Sequence, residues 1–317
     1  MNQINYSIII PHHNIPSLLT RCLNSIPQRD DTEIIIVDDN SSPEKVDFNN
    51  FPGMNRKNTI CIFDKQGKGG GYARNIGLKL AKGKWIIFAD ADDFFNYCIN
   101  DILNQYINSS SDIIYCKSNS LYSNTYINAN RANNINKFID LYNSQKEYAT
   151  LRLKYQSDVP WGKIIRKELI KKNNILFDET PITNDMTFSY LIGFHAVNIS
   201  VCPTALYCVT QREGSVSVSL SDTNILTRIL VVSRAFLFFQ KHNIPIKVNS
   251  HIKLLLKIRS NRELYNKSIK EICKNGYNYK LLRSQLIQYY LKQKLVTPIK
   301  KILTHISNQI NKYNLFL

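Results

Sequence analysis

The chain has 317 residues, 44% of them hydrophobic and 21% charged, enough for one large domain with an appendage or for two modest domains. No run of 18 apolar residues occurs and no charged-then-apolar leader opens it, so nothing reads as a membrane span or signal peptide. The net charge of +17 is uneven: residues 1–220 carry 23 Lys and Arg against 21 Asp and Glu, residues 221–317 carry 18 against 3. That last third reads either as a surface for a polyanionic partner or as a solvated helical face. Seven scattered cysteines, odd in number and without a CxxC pair, read as free thiols of a reducing cytoplasm.

In chain order, Tyr6–Ile10 is an apolar strand that ends at Pro11-His12-His13-Asn14. Ile15, Leu18, Leu19, Cys22, Leu23 and Ile26 follow at helical spacing. Ile34–Val37 is a second strand and ends in Asp38-Asp39. Asn58–Phe63 reads as a third strand, followed by a glycine-rich stretch, Asp64–Tyr72. Its glycines would let backbone N–H groups approach a phosphate, or would simply make a mobile loop; it is neither a P-loop nor a dinucleotide fingerprint. Ala73 to Ala81 reads as a helix stopped by Gly83, and Trp85–Phe88 as a buried strand.

Three carboxylates then fall within four residues: Asp90, Asp92 and Asp93. Along extended chain, positions two apart share a side, so Asp90 and Asp92 can converge on one cation. Hard oxygen ligands suit Mg²⁺ or Mn²⁺, which commonly keep positions open for substrate phosphates. The alternative is a solvated acidic turn capping the next helix. Three strands thus finish in polar groups at their carboxyl ends, the edge where open α/β sheets bind ligands, and the βαβ order calls for right-handed parallel crossovers.

Further on, Ile113–Cys116 reads as a strand and Leu121–Asn136 as a polar connection. Val159-Pro160-Trp161-Gly162-Lys163 leads into a short helix, and Phe177 to Phe188 contains Asn184-Asp185. Four stretches in this order, Ser7–Asn14, Ile36–Ser41, Ala73–Gly77 and Asp90–Asp93, resemble the inverting family-2 glycosyltransferases of bacterial polysaccharide synthesis. The resemblance covers about residues 5–217 and is densest over residues 5–95. It implies the GT-A fold: α/β, Rossmann-like, with a mostly parallel central sheet flanked by helices. The catalytic domain would span residues 1–220, followed by a basic, mainly helical region at 221–317.

The activity implied is sugar transfer from a nucleoside-diphosphate donor, UDP above all, to an acceptor hydroxyl. Pro11, Asn14, Asp38, Asp39, Arg74, Asn75, Asp90 and Asp92 would bind the nucleotide-sugar, with Asp39 at the position that accepts from uracil and ribose. Asp92, with Asp90 or Asp93, would hold Mn²⁺ or Mg²⁺. His12 and His13 read as walls of the pocket, and Arg212 or His195 as contacts to the diphosphate. Family members usually carry Glu-Asp where this chain has Asn184-Asp185, so the first acid is lost and Asp185 stays as the catalytic base. At an ordinary carboxylate pKa near 4 it would already be ionised at neutral pH. The alternative role for Asp185 is a plain helix N-cap.

A dinucleotide-binding oxidoreductase is a poor reading, because the turn after the first strand, Pro11-His12-His13-Asn14, has no glycine. A nucleic-acid-binding protein or metal-dependent nuclease is the alternative raised by the basic last third, where Tyr277, Tyr279, Tyr289 and Tyr290 interleave with cations. Acidic strand ends argue against it, and no nucleic acid is expected as partner. The acceptor implied is a saccharide or lipid-linked saccharide, and the location cytoplasmic, with peripheral attachment to the membrane open. From Leu291 to Tyr313 apolar residues recur at helical spacing among lysines: either a helix packed on the core, or a basic amphipathic helix on an anionic membrane surface.

Overall fold

Isoleucine-rich runs form the parallel half of the sheet. β1 (Tyr6–His12) is joined through α1 (Pro16–Asn24) to β2 (Thr32–Asp39). β3 (Thr59–Asp64), α2 (Gly70–Leu80) and β4 (Trp85–Phe88) follow. β1 pairs in parallel with β2 and β4, and β2 with β3. β2 and β4 are buried along their whole length, which is why they read as unbroken apolar runs and not as alternating ones. The structure, a computed structural model, describes residues 3–212 and 221–294.

The second half is mixed. β5 (Phe94–Phe95), α3 (Ile99–Tyr106), β6 (Ile113–Tyr122), α4 (Asn133–Leu141) and α5 (Lys146–Gln156) lead to β7 (Lys163–Arg166). α6 (Lys167–Lys172), α7 (Met186–His195) and β8 (Ile199–Gln211) complete it. The sheet order is β3-β2-β1-β4-β7-β6-β8-β5. β7 lies antiparallel between β4 and β6, and β8 runs parallel to β6. The sheet is therefore parallel from β3 through β4 and again between β6 and β8, with β7 and β5 running antiparallel to their neighbours. Residues 121 and 122, expected in a polar connection, extend β6 because β8 pairs with them. Long-range pairing overrides weak local propensity there.

The chain divides into two compact units, Met1–Ser219 and Leu220–Leu317. The second contains α8 (Asp222–Lys241), α9 (Ser250–Ile258), α10 (Arg262–Lys274) and helical residues 279–294. Ser221 and Asn261 cap α8 and α10 through their side chains. Ile229, Leu255, Ile272 and Leu282 form its core. Residues 295–317, most of the expected tail stripe, lie outside the described residues.

Candidate active site

The carboxyl end of β2 divides two adjacent acids. Asp38 is fully buried and points to the interior: Ser41 donates to it through its backbone N–H at 3.0 Å and through its hydroxyl, and His12 Nδ1 lies 2.7 Å from it. Ile15 N–H donates to His12 Nε2, so the ring proton sits on Nδ1 and is given to Asp38. Burial alone would raise the Asp38 carboxyl, but these donors outweigh it and hold it below the ordinary range. His12, expected as pocket wall, is a buried support for Asp38. Asp39 faces the other way. One of its oxygens accepts from Gly69 N–H at 2.8 Å; Oδ1 is buried without a partner among the described residues. Burial raises this carboxyl, opposed by the Gly69 N–H. Asn14 adopts φ 59° and clasps the following loop, its N–H donating to Ser41 Oγ and its Oδ1 accepting from Ser42 N–H. Pro11 sits within β1, opposite Val37.

The acidic stretch after β4 is a turn, closed by Asp93 N–H to Asp90 C=O at 3.0 Å, so the alternation of extended chain does not apply. Nor does it cap a helix: β5 follows, and α3 starts at Ile99 with Cys98 as its N-cap. The three carboxylates go to three places. Asp90 pairs with Arg74 at 2.6 Å, and Asp92 with Arg212 at 2.9 Å. Asp93 turns inward, 1% exposed, accepting from Tyr207 Oη at 2.9 Å and from Thr210 N–H at 2.6 Å. Burial and the nearby Asp90 and Asp92 push its carboxyl well above the usual range. The expected convergence of Asp90, Asp92 and Asp93 on one metal is therefore not seen: among the described residues no group of three His, Cys, Asp or Glu is placed to hold one. Of the three, the half-buried Asp92, resting on Arg212, is the kind of single carboxylate that holds Mg²⁺ together with substrate phosphates.

β8 holds this turn in place, which no local signal foretold. Tyr207 Oη accepts from Asp90 N–H while donating to Asp93, and Trp161 stacks on its ring at 6.0 Å. Thr210 Oγ1 donates to Asp92 C=O, as does Arg21 from α1.

α2 carries the link to the opposite wall. Glycines 70 and 71 are helical, not loop, and a β-carbon at Gly71 would stand 2.1 Å from Asp178 C=O. That glycine serves close packing against the chain segment before α7. Asn75, expected at the nucleotide, is buried and clamps the backbone of Phe177, donating to its C=O at 3.0 Å and accepting from its N–H at 2.9 Å. Phe177 stacks on Phe188 at 4.0 Å, and both meet Phe88 at the end of β4 edge-on. Arg74 then spans the gap, giving one nitrogen to Asp90 and another to Asn184 Oδ1 at 3.0 Å; its Nε is buried without a partner among the described residues.

Asp185 is the residue before α7, yet its side chain makes no capping hydrogen bond. Burial in the cleft, helped by Asp158, pushes its carboxyl up to about 6, against the pull of Arg74. It therefore departs from the ordinary value expected for it, and remains mostly ionised at neutral pH. Lys163 lies in the same region, 1% exposed, donating to Ser157 C=O and Val159 C=O at 2.6 Å; burial pulls it down to about 7, opposed by Asp158 and Asp185. Asp158 was not foreseen, since a lone acid in a polar stretch carries no pattern. His195 ends α7, about 15 Å along the helix from Asp185, and packs on Phe194. A separate cavity of about 990 Å³ opens at the amino-terminal edge of the parallel strands, lined by Lys57, Lys82, Lys84 and Lys171 among others.

Residues 7–173 match the family model for glycosyl transferase family 2. The poly(ribitol-phosphate) beta-N-acetylglucosaminyltransferase TarS of Staphylococcus aureus is 26% identical over 240 residues, 72% of this chain and 40% of that protein. The poly(ribitol-phosphate) beta-glucosyltransferase of Bacillus spizizenii is 29% identical over 219 residues, 66% of this chain and 32% of its own. The chain thus spans well under half the length of these relatives. The crystal structure of TarS residues 1–349 with UDP-GlcNAc superposes with a TM-score of 0.64 at 20% identity, covering 90% of this chain and 89% of that one, so the two share the GT-A fold. The nuclease alternative gains no support. The chain belongs to glycosyl transferase family 2.

Proposed function

We propose that the protein transfers a sugar from a UDP-sugar to a hydroxyl of a cell-surface glycopolymer or lipid-linked saccharide, with inversion at the anomeric carbon. The observation that carries this reading is Arg74, whose guanidinium bridges Asp90 on the donor side and Asn184 next to Asp185. It joins the carboxylates suited to a nucleotide-sugar and the carboxylate suited to an acceptor in one cluster.

Asp39 presents its unpartnered oxygen to a uracil N–H or a ribose hydroxyl. Arg74 and Arg212, each resting on a carboxylate, supply positive charge for the diphosphate. Asp92, with Asp90, would hold Mn²⁺ or Mg²⁺, which when bound supplies Lewis-acid stabilisation of the departing diphosphate. Asp185 takes the proton of the acceptor hydroxyl as its oxygen forms the new bond to the anomeric carbon and the bond to the diphosphate breaks. Attack from the face opposite the leaving group inverts the centre. Both relatives named above act on poly(ribitol-phosphate), and an acceptor of that polyol-phosphate kind is within this reading. Residence in the cytoplasm, with peripheral attachment to the membrane, completes it.

A thermal-shift series with UDP, GDP, dTDP and CMP, each with and without Mn²⁺, tests the donor. UDP with Mn²⁺ should raise the melting temperature most, because a ligand that binds only the folded state stabilises it by mass action. A larger shift with another nucleotide would replace UDP in the reading, and no shift with any would overturn it.

A further inference from the structure

The second unit carries 15 Lys and Arg against 3 Asp and Glu over residues 221–294. Charge alone does not choose a partner, but the surface of helical residues 279–294 does. Leu282 and Leu286 turn into the unit's core. Tyr279, Ile287 and Leu291 lie on the outward side at 58%, 50% and 51% exposure. With Arg283 they follow at four-residue steps, a stripe that winds slowly around one face. Lys280, Arg283 and Lys294 are exposed along it, and Lys280 and Arg283 have no ion-pair partner among the described residues. Lys294 rests over the Tyr290 ring at 5.2 Å, as does Arg259 from the end of α9.

A soluble polyanion would engage the cations and leave exposed Ile287 and Leu291 without a use. A bilayer interface takes both: apolar side chains enter the boundary between headgroups and acyl chains, and cations meet lipid phosphates. No described helix is long and apolar enough to cross a membrane. We propose that this face docks on an anionic lipid bilayer, the helix lying in the plane of the interface. This rests on the peripheral attachment named above and assigns the surface responsible for it.

The test is co-sedimentation of the full chain with phosphatidylcholine vesicles, with and without phosphatidylglycerol. Wild type should sediment with the anionic vesicles and not the neutral ones. Removing three cations (Lys280→Gln, Arg283→Gln, Lys294→Gln) should weaken binding about a hundredfold, at about fivefold per cation. Ile287→Ser with Leu291→Ser should weaken it at least about tenfold. Melting temperatures check that both sets remain folded, and transfer to a soluble acceptor should stay at the wild-type rate in both. Wild type indifferent to phosphatidylglycerol would overturn the proposal. So would a serine variant that binds vesicles like wild type; if it also binds soluble polyphosphate equally well, the face serves a polyanion. Neither result would touch the glycosyltransfer reading, which the soluble transfer rate reports.

Discussion

Two strand ends handle adjacent acids in the same way. At the end of β2, Asp38 is sunk among His12 and Ser41 while Asp39 keeps an oxygen without a partner among the described residues. After β4, Asp93 is sunk between Tyr207 and Thr210 while Asp92 stays half-exposed against Arg212. The geometry producing the division differs. β2 is extended, so neighbours take opposite sides; the second site is a turn, and β8 selects which acid it receives. A run of carboxylates is therefore not a set of equivalent ligands. In each pair one acid builds the edge and the other is left to meet a ligand.

The largest effect that would sharpen this contrast lies outside both pairs. Asp185→Asn should lower kcat about 10²- to 10⁴-fold, the range for a lost general base, while UDP affinity by calorimetry stays within about twofold. Near wild-type turnover would return Asp185 to a structural role. Chelation comes next: EDTA should abolish transfer and restoring Mn²⁺ should recover it, whereas full activity in EDTA would remove the metal from Asp92.

Smaller effects separate the members of each pair. Asp93→Ala leaves the Tyr207 hydroxyl and the Thr210 N–H without their acceptor and should cost about 3 kcal/mol of stability in urea unfolding. Asp39→Ala should leave stability nearly unchanged and weaken UDP binding about ten- to a hundredfold, as expected for losing hydrogen bonds to a charged acceptor.

The smallest effect is graded with pH. Because Asp185 must be ionised to accept a proton and its carboxyl sits at about 6, kcat should fall about tenfold per unit below that value and level off above it. The stability sign is the reverse. A folded-state value above the unfolded one of about 3.9 means that this group favours folding more as pH falls from about 6 to 4. Asp185→Asn should lose that contribution, visible as a flatter dependence of melting temperature on pH.

Much of this edge was legible in the residues. Ile8–Ile10, Ile34–Val37 and Trp85–Phe88 are apolar on both faces, so buried parallel strands with polar ends follow directly. The roles of individual acids were not legible, because Tyr207, Thr210 and Arg212 reach the acidic turn from more than a hundred residues away. Gly71 lies in a stretch open to either a phosphate contact or a mobile loop, and it is contact space against Asp178. Asn75 looked like a ligand contact and proved to be a backbone clamp. Packing partners distant in sequence decide such cases, and spacing along the chain does not report them. The raised carboxyl of Asp185 was hidden for the same reason, since its burial and Asp158 come from the folded cleft.

The division of labour is tested most directly by one thermal-unfolding series on Asp38→Ala, Asp39→Ala, Asp92→Ala and Asp93→Ala, each with and without UDP and Mn²⁺. Asp38→Ala and Asp93→Ala should melt several degrees below wild type and still be raised by the ligand. Asp39→Ala and Asp92→Ala should melt with wild type and lose the ligand shift. Unliganded melting temperatures lowered equally in all four, or a ligand shift lost in Asp93→Ala and kept in Asp92→Ala, would contradict the account.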